Sequence, residues 1–187
     1  MSGVDESPLI DLLTTVNRLK VTPRTGWAQR GVSNPESVAD HSHGVAMVAL
    51  LLLDLVDGLD RAKVLAMAVA HDLPESVTGD LSLGGSRHLP RGAKAIAEQA
   101  AMDELLQGLP FGPAWRARWD EFEALDTPEA RLVRDADRID LLIQALAYER
   151  TTGNRELDEF WNFAPLESFH FEISRRIVAG LWKRRET

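Results

Sequence analysis

Val64-Leu65-Ala66-Met67-Ala68-Val69-Ala70-His71-Asp72-Leu73-Pro74-Glu75 is the stretch on which the reading of this chain turns. Seven apolar residues in a row, following Asp60 as a helix cap, describe a helix buried on most sides. The helix closes on an adjacent His-Asp pair, and both polar groups need partners once they leave water. A metal ion satisfies both at once. Pro74 then forces a kink or opens a new turn that ends at Gly79-Asp80.

Outward from this stretch the chain reads as helix after helix. Leu9, Leu12, Leu13, Val16 and Leu19 keep the helical period, which predicts a first helix over 8–20. The loop that follows, Val21 to Ser33, carries Pro23, Gly26, Trp27 and Gly31. Asn34-Pro35-Glu36 is a cap-proline-acid start for a helix running to Gly58, and Thr127-Pro128-Glu129 starts another that reaches about Thr152 and stops at Gly153. Further helices are expected over 91–107, 113–125 and 165–185. No strand-length alternation and no internal repeat is present, so the class is all-α, a single bundle of about seven helices.

Length and composition agree. A chain of 187 residues holds one good core, and one domain over 1–187 is expected. The balance of 44% hydrophobic and 27% charged residues is that of a folded globule rather than a disordered segment. The longest apolar run, Val45 to Val56, is broken by Asp54 and falls short of the roughly 20 residues a membrane span needs. Met1 to Pro8 carries Asp5 and Glu6 without the basic-then-apolar pattern of a signal peptide. With no cysteine, disulfides and thiolate zinc sites are excluded; a cytoplasmic location fits, and any metal must be held by His, Asp and Glu.

The net charge of −8 argues against polymeric nucleic acid as a partner. Two basic islands interrupt it. Arg18, Lys20, Arg24 and Arg30 fall in an acid-free stretch, and Arg87, Arg91 and Lys94 fall in another. Such islands are either scattered surface charge or the lining of a pocket for a small anion.

The five histidines stand at 41, 43, 71, 88 and 170. His41 and His71 lie at the edges of apolar helical stretches and can face each other across a helix pair. His43 is roughly 200° round the helix from His41 and makes a poor co-ligand. A further ligand should be a carboxylate on a third helix. In the 127–152 helix Val133, Ala136, Ile139, Ile143 and Leu146 form the core arc, with Asp137 at its edge in one stripe with Asp140 and Gln144. Asp137 is the better candidate, Asp140 stays open, and Asp135 points away.

His41, then His71-Asp72, then Asp137 resembles the H…HD…D signature of the HD-domain phosphohydrolases. Ser37-Val38-Ala39-Asp40-His41-Ser42 looks like the first-ligand motif, His71-Asp72-Leu73-Pro74-Glu75 with Gly79-Asp80 like HDxxE…GD, and Arg134-Asp135-Ala136-Asp137-Arg138 like the last-ligand helix. With Arg24 upstream, the chain is similar to the 5′-deoxynucleotidases over about 12–163. The resemblance implies one divalent transition metal, Mn, Fe, Co, Ni or Zn, on His41, His71, Asp72 and Asp137. It implies an acid–base role for Glu75, a substrate-side role for Asp80 and phosphate contact by Arg24. Trp27 is the aromatic candidate for packing the deoxyribose.

Two departures stand out. Thr25-Gly26 separate Arg24 from Trp27, and Pro74 replaces the small residue common at that place. The implied reaction is attack of metal-activated water on the 5′-phosphate of a deoxyribonucleoside monophosphate. The implied partners are a nucleotide and a second copy of the chain. The rival readings are an HD hydrolase of nucleoside triphosphates or other small phosphate esters, and a non-catalytic nucleotide-binding protein.

Overall fold

The computed structural model describes residues 6–187. The expectation about export rests mainly on residues outside that range. Helix α1 (Ser7–Val16) and a tight 3-10 turn (Asn17–Lys20) divide what the periodicity predicts as one helix. After α2 (Thr25–Gln29) come α3 (Val38–Leu53), α4 (Arg61–Ala70), α5 (Glu75–Thr78) and α6 (Leu83–Ser86). Then follow α7 (Ala93–Leu106), α8 (Gly112–Ala124), α9 (Pro128–Thr152), α10 (Asp158–Phe163) and α11 (Glu172–Glu186). Among the described residues seven of these helices are ten or more residues long and no strand forms, as the sequence predicts.

The caps explain the boundaries. The Asp60 side chain accepts from the Lys63 backbone N–H, and the Thr127 side chain accepts from that of Ala130, as expected. Gly153, at φ 70°, closes α9 in a left-handed conformation that a Cβ disfavours. Asn34 is not the cap of α3. Ser37 and Asp40 form a reciprocal capping box instead, while the Glu36 backbone is engaged elsewhere, its N–H donating to Tyr148 and its carbonyl accepting from Arg24 N–H. α3 also stops at Leu53, short of Gly58, where Arg61 donates to the Leu53 carbonyl.

The largest correction concerns 165–185. α11 starts only at Glu172, because buried Asp135 of α9 accepts the backbone N–H groups of His170 and Phe171 and the His170 ring N–H. That clamp fixes the backbone at 170–171, after a 3-10 turn over Leu166–Ser168. α10 was not expected, and neither was the short α2 inside the predicted loop.

α9 is the axis of the molecule, packing against α3, α4, α8, α10 and α11. Val45, Ala49 and Leu52 of α3 meet Val64, Met67 and Ala68 of α4 and Val133, Ala136, Ile139 and Leu142 of α9. Burying each of the larger side chains stabilises the fold by roughly 1.5–3 kcal/mol. Ile143, expected in this arc, is exposed; with neighbours on both flanks, α9 turns Leu142 and Ala145 inward instead. A second cluster joins Leu12, Leu19, Leu105, Leu106 and Trp119 under α1 and α7. Since α3, α4 and α9 touch pairwise, one residue from each can reach a common point. No helix of the described residues is long and apolar enough to cross a membrane.

Replacing the clamp tests its weight. Asp135→Ala leaves two backbone N–H groups without an acceptor and is expected to lower unfolding free energy by about 2–4 kcal/mol. Urea denaturation reads it, and a change lost in experimental error would refute the assignment.

Candidate active site

The common point is where His41, His71 and Asp137 meet, with ligand atoms all within 4.8 Å of one another. His41 sits in the first turns of α3, His71 caps the end of α4, and Asp137 projects from the middle of α9. His41 Nε2 lies 3.2 Å from Asp137 Oδ1 and 3.8 Å from Asp72 Oδ2, and His71 Nε2 lies 3.2 Å from Asp72 Oδ2. The two imidazoles meet nearly edge to face, 5.5 Å apart.

The opposite ring nitrogens fix how these imidazoles point. His41 Nδ1 is 2.8 Å from Asp140 Oδ2, and His71 Nδ1 donates to the Ala68 carbonyl at 2.9 Å. Each Nε2 is thereby turned to the centre. His41 and His71 are 1% and 5% exposed, and neither Nε2 has a hydrogen-bond partner. Two buried, orphaned imidazole nitrogens facing two carboxylates fit a divalent cation, which would satisfy all of them.

Asp140, left open by the sequence, is therefore the carboxylate behind His41 rather than a member of the inner set. Gly44, one turn along α3 from His41, makes room for it. A Cβ there would fall 2.1 Å from Asp140 Oδ1.

The turn after α4 brings in the remaining groups. Leu73, Glu75 and Ser76 N–H groups bond back to Ala70, Asp72 and Leu73 carbonyls, so the chain keeps turning through Pro74 and returns Glu75 to the cluster's side. The Trp119 indole N–H takes the His71 carbonyl released where α4 ends. Glu75 is 4% exposed and its Oε2 has no partner. Burial, then the charges of Asp72 and Asp80, push its carboxyl up to about 9.

Gly79, at φ 73°, turns the chain so that Asp80 comes off toward α2. Asp80 does not cap the turn that follows it. It accepts from Thr25 N–H at 2.6 Å and from Arg24 at 3.4 Å, and Arg24 also reaches Asp72 at 3.5 Å. These carboxylates hold the Arg24 guanidinium well above its ordinary pKa against the effect of burial.

Burial and Arg24 push the His41 imidazolium down, but the adjacent carboxylates of Asp137 and Asp140 outweigh them and raise it to about 10. Burial tends to raise Asp137, yet the nearby His41 ring holds it well below the carboxylate range.

Arg24, Asp72, Glu75, Asp80 and Asp137 line one cleft, to which Lys94 of α7 and Arg134 and Arg138 of α9 also contribute. Arg134 pairs with Asp137 at 3.3 Å, and Lys94 with Glu98 at 3.3 Å. Of the second basic island only Lys94 reaches the cleft; Arg87 and Arg91 are exposed, as are Arg18 and Lys20 of the first. Trp27 forms part of the wall from behind, buried against Phe160 with its N–H committed to Glu36. His43 and His88 are exposed, and His170 belongs to the Asp135 clamp.

Sequence reasoning gave no role to Arg134, Arg138, Leu141, Phe160 or Phe163. The three on α9 share a stripe with Asp137 and were recoverable from the helical period. Phe160 and Phe163 had no local signal.

The fold and cleft are those of a helical protein in which His and Asp side chains from three helices could hold a cation. A family profile described as HD domain matches residues 16–164, and the chain belongs to that family. It is 35% identical over 92% of its length to 5′-deoxynucleotidase HDDC2 of Bos taurus, covering 84% of that protein. To 5′-deoxynucleotidase HDDC2 of Homo sapiens it is 33% identical over 100% of its length, covering 90% of the human chain. Among solved structures, a conserved hypothetical protein from Pyrococcus furiosus superposes with a TM-score of 0.80 at 38% identity, over 95% of this chain and 99% of that one.

The Asp140 assignment yields a prediction. Asp140→Asn is expected to weaken manganese or cobalt binding about 10–100-fold. Gly44→Ala should do the same by displacing the carboxylate. Calorimetric titration with circular dichroism as the folding control measures this; unchanged affinity in folded variants would refute it.

Proposed function

We propose that this chain removes the 5′-phosphate from deoxyribonucleoside 5′-monophosphates, with His41, His71, Asp72 and Asp137 holding one divalent transition metal. The observation that carries the reading is the pair of orphaned imidazole nitrogens facing Asp72 and Asp137, two carboxylates that line a cleft rich in cationic side chains. The 5′-deoxynucleotidase names of the relatives support the substrate class.

Arg24, Lys94, Arg134 and Arg138 face Asp72, Asp80, Asp137 and a protonated Glu75, so the cleft is formally one positive by itself. A divalent cation raises that to three, which attracts a phosphomonoester dianion. When bound, such an ion supplies Lewis acidity to the phosphoryl group and to an attacking water.

The protein's own groups do the rest. Arg24, held between Asp72 and Asp80, presents its guanidinium to the phosphoryl oxygens. Glu75, with its raised pKa, carries a proton at neutral pH and is the group suited to give it to the leaving 5′-oxygen. Water forms the new bond to phosphorus, the bond to the 5′-oxygen breaks, and that oxygen leaves protonated. Trp27, buried behind Phe160, and Asp80, bonded to Thr25 N–H, brace the segment bearing Arg24.

After chelation, the protein should be assayed on deoxynucleoside mono- and triphosphates and ribonucleoside monophosphates with Mn, Fe, Co, Ni, Mg and Zn. Orthophosphate release from deoxynucleoside monophosphates is expected. Pyrophosphate or triphosphate release from triphosphates alone would replace this reading with the triphosphatase one.

Glu75→Gln should cut kcat about 10²–10⁴-fold with metal stoichiometry intact. Full activity in that variant would remove Glu75 from proton transfer.

A further inference from the structure

Away from the His-Asp cluster the cleft changes character. Its far wall is Leu81, Leu141, Phe160 and Phe163, and Phe163 leaves 43% of its surface exposed at the end of α10. Of these four it is the most exposed, an open phenyl in a wall otherwise rich in charge. The Arg138 guanidinium stands 5.7 Å from the Phe163 ring centroid. Its NH1 donates to the Ser168 carbonyl at 2.9 Å, while its Nε is buried with no partner.

The order along α9 sets the distances. Arg134, Asp137, Arg138 and Leu141 share the side of α9 that lines the cleft, and Arg138, next after Asp137, stands against Phe163. Asp137 to Leu141 is four residues, about 6 Å along the axis. That is comparable to the reach from the phosphorus to the glycosidic nitrogen of a nucleotide. A phosphate at the cluster therefore brings what the sugar carries within reach of the wall formed by Arg138, Leu141 and Phe163.

We propose that Phe163, flanked by Leu141 and Arg138, is the shelf on which the nucleobase of the substrate stacks. This rests on the nucleotidase reading for its ligand. Phenyl against base is a contact open to any flat heteroaromatic ring, and the neighbouring guanidinium adds a cation to the stack.

The test uses the full chain and Phe163→Ala, Phe163→Trp and Phe163→Ala/Arg138→Gln variants on two substrates, a deoxynucleoside 5′-monophosphate and deoxyribose 5-phosphate. The latter keeps sugar and phosphate but has no base. The ratio of the two kcat/KM values should fall about tenfold in Phe163→Ala, the loss of one stacking face, and recover in Phe163→Trp. Saturation-transfer NMR with deoxyadenosine, which has no phosphate, should show base protons in contact with the wild type and a lost signal in Phe163→Ala. Equal losses on both substrates, or unchanged deoxyadenosine contact, would overturn the shelf. If the wild type hydrolyses no nucleotide, the nucleotidase reading fails by itself and the deoxyadenosine contact alone decides the shelf.

Discussion

Two buried imidazole nitrogens without a protein partner are the constraint around which this molecule is arranged. Leaving His41 Nε2 and His71 Nε2 orphaned costs free energy that a hydrophobic pair would not. The fold nonetheless commits their other nitrogens, through Asp140 and the Ala68 carbonyl, so that both orphans face inward. The pairwise packing of α3, α4 and α9 is what brings them together. The apolar runs of those helices thus both stabilise the bundle and set the spacing of the cluster.

Around that centre each charge is restrained by another. Arg24 lies between Asp72 and Asp80, Arg134 against Asp137, and Lys94 against Glu98. Groups held this way need little rearrangement when an anion arrives, because their positions are already fixed by the protein. Arg138 and Glu75 are exceptions: Arg138 donates to the Ser168 carbonyl, and Glu75 lacks a partner at Oε2, where burial beside two carboxylates keeps it protonated. A side chain that holds a proton in a cleft of paired ions is placed for transfer rather than for structure.

Stability and function are separated in space on α9. Asp135 and Asp137 are two residues apart and so point to different sides of the helix. Asp135, fully buried, ties down the backbone at 170–171, whereas Asp137 faces the cleft. The same helix carries a structural carboxylate on one side and a candidate ligand on the other.

The sequence by itself determined the helical class, most helix boundaries and the candidates His41, His71 and Asp72, since caps, period and the adjacent His-Asp pair are local features; its period preferred Asp137 but left Asp140 open, and the resemblance chose Asp137. It placed Arg24, Glu75 and Asp80 through resemblance. Only the tertiary structure decided that Asp140 stands behind His41 in space left by Gly44, because that contact joins residues 99 apart in the chain. It alone decided that Lys94 and not Arg87 faces the cleft, and that α11 begins late because of Asp135. Phe160 and Phe163 reach the cleft for the same reason. Their neighbours come from distant helices, and no local pattern of residues records which side of α10 will meet them.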